Sequence, residues 1–427
     1  MAGTNIREIS ADTLVEILEH GEFSHIYLKA VLDKYSYLEK NERAFITRLV
    51  NGTVERKLQL DHIINSYSKT KVKKMKPLIR TIIRMGTFEI YYMDSVPDSA
   101  TCNEYVKLAK KRGFSGLSGF VNGVLRNISR DKGNVKFTDL GTKYSMPQWI
   151  VDKWTKDYGT DTTEEILNGF FVPEELCIRV NLKKISRDDL AVKLTQKGIK
   201  VTKCDTIESA CYISGYDSIS AISEFEEGLF YIQDYSSQLV PYKAGLKAGD
   251  KVVDVCAAPG GKALHCGEIV KDGTVDARDL TDIKVGLILE NISRTGAANV
   301  SAKKWDATVF DATSENKFDV VIADLPCSGL GIIRKKPDIK YNQTEESLKE
   351  LTALQQQILD IVCKYVKDGG TLCYSTCTIN KDENENQVSN FLCSHSEFKI
   401  INMEQLWPDS KHDGFFICVM KKQTLGR

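Results

Sequence analysis

Over roughly its first 130 residues the chain repeats apolar positions three and four apart. Leu14, Val15, Ile17 and Leu18 form one such set, Phe45, Ile46, Leu49 and Val50 a second, and Leu78, Ile79, Ile82 and Ile83 a third. This spacing puts each set on one face of a helix, and few alternating β-branched runs interrupt it, so the pattern predicts a helical bundle over 1–135. From about 142 the texture changes. Residues 176–198 read as a strand followed by a helix, with Ser186, Asp188 and Asp189 at its start and Gly198 at its stop. The stretch 136–230 is therefore predicted as a small α+β connecting region. Beyond 231, short apolar runs at 252–255, 274–277, 300–305, 320–323 and 371–374 alternate with helical stretches, and a hairpin closes the chain. Strand–helix alternation of this kind predicts an open, Rossmann-like α/β sheet over 231–427.

The candidate chemistry lies where these strands stop. In DVVIADLPCS, residues 319–328, Pro326 prevents the strand from continuing, so Asp324 and Cys327 fall beyond its carboxyl end, where open α/β sheets bind ligands. YSTCTINKDENEN, residues 374–386, has the same grammar: a Gly369-Gly370 turn, a strand at 371–374, and a polar exit at Ser375, Thr376 and Cys377. Both thiols are predicted on one rim, and spacing alone does not say which of them attacks. A third exit, Cys256, Ala257, Ala258, Pro259, Gly260, Gly261 and Lys262, joins a strand to a helix through small residues that let a ligand approach the backbone. Asp279 follows Gly260 by 19 residues, the interval at which an acid on the next strand reaches ribose hydroxyls, and Asp306 ends the strand after that. Acids on three strand ends, with no GKS or GKT, favour a nucleoside over a phosphate-rich ligand.

Composition narrows this picture. The 12 cysteines lack the short repeated spacings of a zinc site or a disulfide framework, so reduced core thiols and no metal are expected. No apolar run approaches the roughly 20 residues that span a bilayer, and residues 1–7 do not lead into a signal peptide, so a cytoplasmic protein is expected. A net charge of zero hides an asymmetry: residues 51–135 hold 16 Lys and Arg against 7 Asp and Glu, whereas 136–427 hold 36 against 43. Basic runs at 69–76 and 107–112, with Arg80, Arg84, Arg126 and Arg130, point to an anionic partner such as RNA phosphates. Arg179 and Asn181 flank a strand, where RNA contact and plain solvation are both open.

The residues also carry two resemblances. NERAFITRLVNGTVERKLQLD and GFVNGVLRNISR, within residues 41–130, resemble the NusB-like RNA-binding domain. DVCAAPGGK, DLPCSGLGIIRKKPDIKY, the YSTCTINKDENE stretch and FYIQDYSSQLV resemble the RNA (cytosine-5) methyltransferases. The second resemblance implies a class I methyltransferase fold and S-adenosylmethionine as cofactor, contacted by residues 256–262, Asp279, Asp306 and Asp324. It also implies Cys377 as the nucleophile that adds to carbon 6 of the base and Cys327 as the thiol that assists product release. Charge arriving at N3 of the ring calls for a neighbouring acid, and Asp324 suits that position. Together the two resemblances imply small-subunit (16S) ribosomal RNA as the substrate of a monomer, with Arg334, Lys335 and Lys336 at the substrate mouth. A transfer RNA cytosine-5 methyltransferase and a non-enzymatic RNA-binding assembly factor are the alternatives.

Overall fold

The computed structural model describes residues 5–94, 96–173 and 175–424. Contacts divide the chain into two units, Met1–Asn168 with Ile333–Asn342, and Gly169–Ile332 with Gln343–Arg427. The first unit holds the expected helices, among them Ile6–Glu19, Lys40–Glu55, Lys57–Tyr67, Pro77–Tyr92, Asp98–Lys111 and Ser118–Arg130. Their apolar stripes close on one core in which Leu14, Ile46, Leu49, Val50, Ile82 and Ile83 are fully buried. Each such side chain contributes about 1.5–3 kcal/mol on leaving water. Pro77 opens its helix at a position where the missing N–H has no intrahelical partner to lose.

Two charge expectations change here. Arg84 makes a two-pronged ion pair with Asp61 at 2.7 and 2.8 Å, and Arg80 pairs with Glu19, so neither guanidinium is free for RNA. In the loop 69–76, by contrast, Val72 and Met75 are buried while Lys69, Lys71, Lys73, Lys74 and Lys76 are exposed. Helix Gln148–Tyr158 counts with the first unit, and so does the segment bearing Arg334, Lys335 and Lys336. Side-chain anchors explain this: Lys340 is buried and donates to the Glu55 carbonyl at 2.7 Å, and Ser24 N–H donates to Asp338 at 3.2 Å. Burial pulls the Lys340 amine down to about 7.

The second unit contains two sheets. In the smaller one β1 (Leu176–Val180), β2 (Lys200–Lys203), β3 (Ala210–Ser214) and β4 (Phe230–Ile232) pair antiparallel in the order β2-β3-β1-β4. Helix Arg187–Gln196 starts on Ser186, whose hydroxyl accepts from the Asp189 N–H, and Gly198 follows its end at φ +79°. Arg179 and Asn181 are neither solvated nor exposed to RNA. Arg179 is fully buried, with Nε donating to Gln233 at 2.6 Å and Nη1 on Glu268, and Asn181 donates to the Gly228 carbonyl at 2.9 Å. A strand in which four of five residues are buried carries those side chains inward.

The larger sheet comprises β5 (Lys251–Asp254), β6 (Thr274–Asp279), β7 (Val300–Lys304), β8 (Phe318–Asp324), β9 (Val366–Thr376), β10 (Phe398–Leu406) and β11 (Phe415–Lys422). Its order is β10-β11-β9-β8-β5-β6-β7; β5 to β9 run parallel, and the β10–β11 hairpin adds antiparallel to β9. This is the expected class I methyltransferase arrangement. One detail differs: Gly369-Gly370 is not a turn ahead of the strand but lies within β9, where the register against β8 breaks between Phe318 and Val320. Gly369 at φ +70° allows that irregularity without ending the strand. The chain steps from β5 outward to β6 and β7, then returns to β8 on the other side, so β5 and β8 flank the switch point at which such sheets bind ligands.

Candidate active site

Strands β8 and β9 pair parallel with Asp324 opposite Ser375, so their carboxyl ends emerge side by side. Pro326 ends one strand, Cys377 follows the other, and the two sulfurs lie 3.3 Å apart. The exits are laced together by backbone: Leu325 N–H donates to the Ser375 carbonyl at 3.1 Å and Gly331 N–H to the Cys377 carbonyl at 3.0 Å. Gly331 has to be glycine for this approach, since a Cβ there would stand 2.0 Å from the Gly414 carbonyl oxygen. The Cys377 contact first, and then burial, hold the Cys327 thiol well above the ordinary thiol range.

Asp324 is held on both oxygens. Lys262 donates to one at 2.7 Å and the Ser375 hydroxyl to the other, also at 2.7 Å. Lys262 is the second residue of helix Gly261–Val270, which starts from Gly260 at φ +107° in the left-handed region. Burial draws the Lys262 amine down, but Asp324 outweighs it and holds the amine above its usual value. Lys262 is thus not a surface lysine: its side chain is 14% exposed.

The cofactor-turn residues lie on the neighbouring strand ends. Ala258 N–H donates to Asp279 at 2.9 Å, Leu280 N–H to the other Asp279 oxygen at 2.8 Å, and Ala257 N–H to the Arg278 carbonyl at 2.8 Å. Cys256 is half-buried next to Asp254, which raises its thiol together with burial, the larger cause. Asp306 comes off β7 exposed to solvent, with one oxygen accepting from Thr308 N–H at 2.8 Å and from its hydroxyl at 2.6 Å. All twelve cysteines are free; eight are buried, and Cys393 is exposed.

With this geometry in hand, the chain can be compared with known proteins. Residues 243–421 match the family described as 16S rRNA methyltransferase RsmB/F, residues 4–130 the NusB family, and residues 146–219 the ferredoxin-like domain of RsmF/B-like methyltransferases. A probable ribosomal RNA small subunit methyltransferase B from Bacillus subtilis is 35% identical over 99% of this chain and 100% of its own. The chain belongs to that family. A counterpart from Synechocystis is 31% identical over 97% of this chain and 99% of its own. Among solved structures, a methyltransferase homologue from Pyrococcus horikoshii is 26% identical with TM-score 0.59, covering 66% of this chain and 98% of that one. PH0851 superposes with TM-score 0.83 at 24% identity over 98% of this chain and 99% of its own, a likeness of fold. By family, the protein is a methyltransferase of 16S ribosomal RNA.

The residues at the turn suit S-adenosylmethionine, the cofactor that the sequence resemblance implies. Asp254, at the end of β5, is 1% exposed, and neither of its carboxylate oxygens has a hydrogen-bond partner of acceptable geometry. Burial first, then the Asp324 charge, raise its carboxyl to about 7, against the Lys262 charge and then the Cys256 amide, which pull the other way. Acids at this turn and at two further strand ends would repel a polyphosphate, whereas they accept ribose hydroxyls and tolerate a cationic sulfonium and ammonium.

Asp254 was missed in the sequence although it heads the DVCAAPGGK stretch; its signal was an acid closing an apolar run. Glu383 was missed as well. It is fully buried, and it accepts from Ser328 N–H at 2.8 Å, the Ser328 hydroxyl at 2.6 Å, Asn380 at 2.8 Å and Gln355 at 3.1 Å. Its only trace in the chain is the polar run directly after a buried strand.

Proposed function

We propose that this chain methylates carbon 5 of a cytosine in 16S ribosomal RNA through a transient bond between Cys377 and carbon 6. One observation carries the reading: two sulfurs 3.3 Å apart at adjacent strand ends, beside an aspartate held by Lys262 and Ser375. Carbon 5 of cytosine is a poor nucleophile because the aromatic ring withholds its electrons. A thiolate that adds to carbon 6 forms the S–C6 bond and pushes an electron pair toward N3, which leaves carbon 5 as the nucleophilic end of an enamine. Asp324 faces N3 and gives it a proton as the charge arrives, and the Lys262 ammonium stabilises the carboxylate that this leaves. Bound S-adenosylmethionine supplies an electrophilic methyl group. As the methyl passes to carbon 5, S-adenosylhomocysteine leaves; water then takes the carbon-5 proton, the S–C6 electron pair returns to Cys377, and Cys327 assists that release. Residues 256–262, Asp279, Asp306 and Asp324 hold the cofactor, with Asp279 toward ribose and Lys262 toward the methionine carboxylate.

The base enters single-stranded or flipped from its stack, and the helical unit supplies phosphate contacts through its exposed lysines. No helix among the described residues is long and apolar enough to cross a membrane. We place the protein in the cytoplasm as a monomer, which light scattering tests.

Tritiated methyl transfer to unmodified 16S RNA should vanish in Cys377→Ala. In Cys327→Ala, protein should remain attached to RNA on a denaturing gel. Exchange of the two phenotypes would overturn the assignment. Calorimetry with S-adenosylhomocysteine should show a loss of about tenfold or more in Asp279→Ala, matching one or more lost charged hydrogen bonds.

A further inference from the structure

Cys327 and Cys377 occupy equivalent strand ends, yet their surroundings differ in sign. The residue after each cysteine takes part in one buried hydroxyl pair, Ser328 Oγ to Thr378 Oγ1 at 2.7 Å. Below that pair lies Glu383, which takes both the N–H and the hydroxyl of Ser328. Asn380 and Gln355 complete its shell, and Gln355 also donates to the Pro326 carbonyl at 2.8 Å. Gln343 caps the Ser328 carbonyl at 3.0 Å. The Cys327 loop is therefore pinned on both sides of the sulfur, and Glu383 with its amide partner Gln355 supplies pins on both sides. Each of the four donors to Glu383 is neutral, and among the described residues no cation lies at contact distance from it.

Among the described residues, the ionisable groups that act on Cys327 include Cys377, Glu383 and the buried Tyr374 hydroxyl. The ammonium that senses Cys377 is Lys262. An anion bears on one sulfur and a cation on the other. We infer that Glu383 is a positioning residue that ties the Cys327 loop to the Cys377 exit and keeps Cys327 a neutral thiol. This deepens the two-thiol reading above and rests on it. The raised Cys327 thiol is consistent with this placement.

The test of the charge effect needs neither RNA nor turnover, so its failure is separable from failure of the cysteine roles. The full-length reduced enzyme is treated with iodoacetamide across pH 6–10, and labelling of Cys327 and Cys377 is followed separately by mass spectrometry. Accessibility sets the plateau of each curve; the charge on the thiol sets its midpoint. In Glu383→Gln the Cys327 rate at pH 8 should rise about tenfold, equivalent to a midpoint about one unit lower, while the Cys377 midpoint stays. Glu383→Asp, which restores the charge, should return the Cys327 curve toward wild type. An unchanged Cys327 midpoint in a folded Glu383→Gln protein, or equal shifts of both thiols, would overturn the inference. If that variant does not fold, the wild-type curve decides: the Cys327 midpoint should lie above that of an ordinary thiol, about 8.5, and a midpoint at or below that value refutes the assignment. Ser328→Ala tests the tie, since kcat should fall about tenfold or more with KM held; full turnover would exclude it.

Discussion

Both units bury a glutamate completely, and they treat it in opposite ways. Glu89 in the helical unit meets Arg7 through two parallel contacts of 2.8 Å, with Tyr105 at 2.6 Å and Thr101 at 3.2 Å completing its shell. Its charge is matched by a cation inside the same core. Glu383 in the catalytic unit has four neutral donors, and Asp254 a few strands away has no well-formed partner. A fully matched acid locks a fold together, whereas an unmatched one leaves a field that acts on whatever stands nearby. In the catalytic unit those neighbours are a thiol and a cofactor turn.

The sharpest way to break the comparison is to remove the matched acid. Glu89→Ala strands the Arg7 guanidinium over Phe45 and Tyr105, and breaking a buried pair costs about 3–5 kcal/mol. Urea unfolding should show that loss in the helical transition, with methyl transfer per folded molecule retained. A variant of undiminished stability would mean that the pair is incidental.

Asp254 should give a smaller effect that depends on pH. Its folded carboxyl, raised to about 7, lies above the unfolded value of about 3.9, so the folded state holds the proton more tightly. The stability this contributes is complete below about pH 4 and is lost as pH rises through 7. Asp254→Asn mimics the protonated form. Its melting temperature, measured without cofactor, should match wild type near pH 4.5 and exceed it by several degrees at pH 8. A pH-independent difference would show that Asp254 is not titrating in this window.

These contrasts also mark what could be read from the chain. The pairing of Cys327 with Cys377 was legible because Pro326 and the polar Ser375-Thr376 end two buried strands, and a strand end is a local event. The helical core was legible for the same reason, since Ile79, Ile82 and Ile83 share a helix face whatever they pack against. Glu383 was not, because Ser328 lies 55 residues away and Gln355 lies 28 away, and only packing brings them together. Arg179 was misread because its neighbours Gln233 and Glu268 are equally distant in sequence. Strand-exit patterns reveal where a site forms; which charges it leaves unmatched is a property of the assembled core.

The same distinction separates the arginines of the helical unit from its lysines, and here the expected effect is smallest. Arg80 and Arg84 are matched by Glu19 and Asp61, so replacing Arg84 with Ala should lower stability, since it leaves Asp61 unpaired. Lys73 and Lys74 are exposed beside a buried Val72 and Met75, which hold the loop in place without using either charge. Each phosphate they neutralise releases counterions, adding about 0.7–0.9 to the slope of log affinity against log salt. Replacing Lys73 and Lys74 with Glu should therefore weaken binding to a 16S RNA fragment about tenfold at low salt, flatten that slope by one to two units, and leave the melting temperature unchanged. Filter binding at several salt concentrations reads all of this directly. An unaltered slope would remove the lysine loop from the RNA-binding face and leave the exposed Arg126 and Arg130 as the next cations to test.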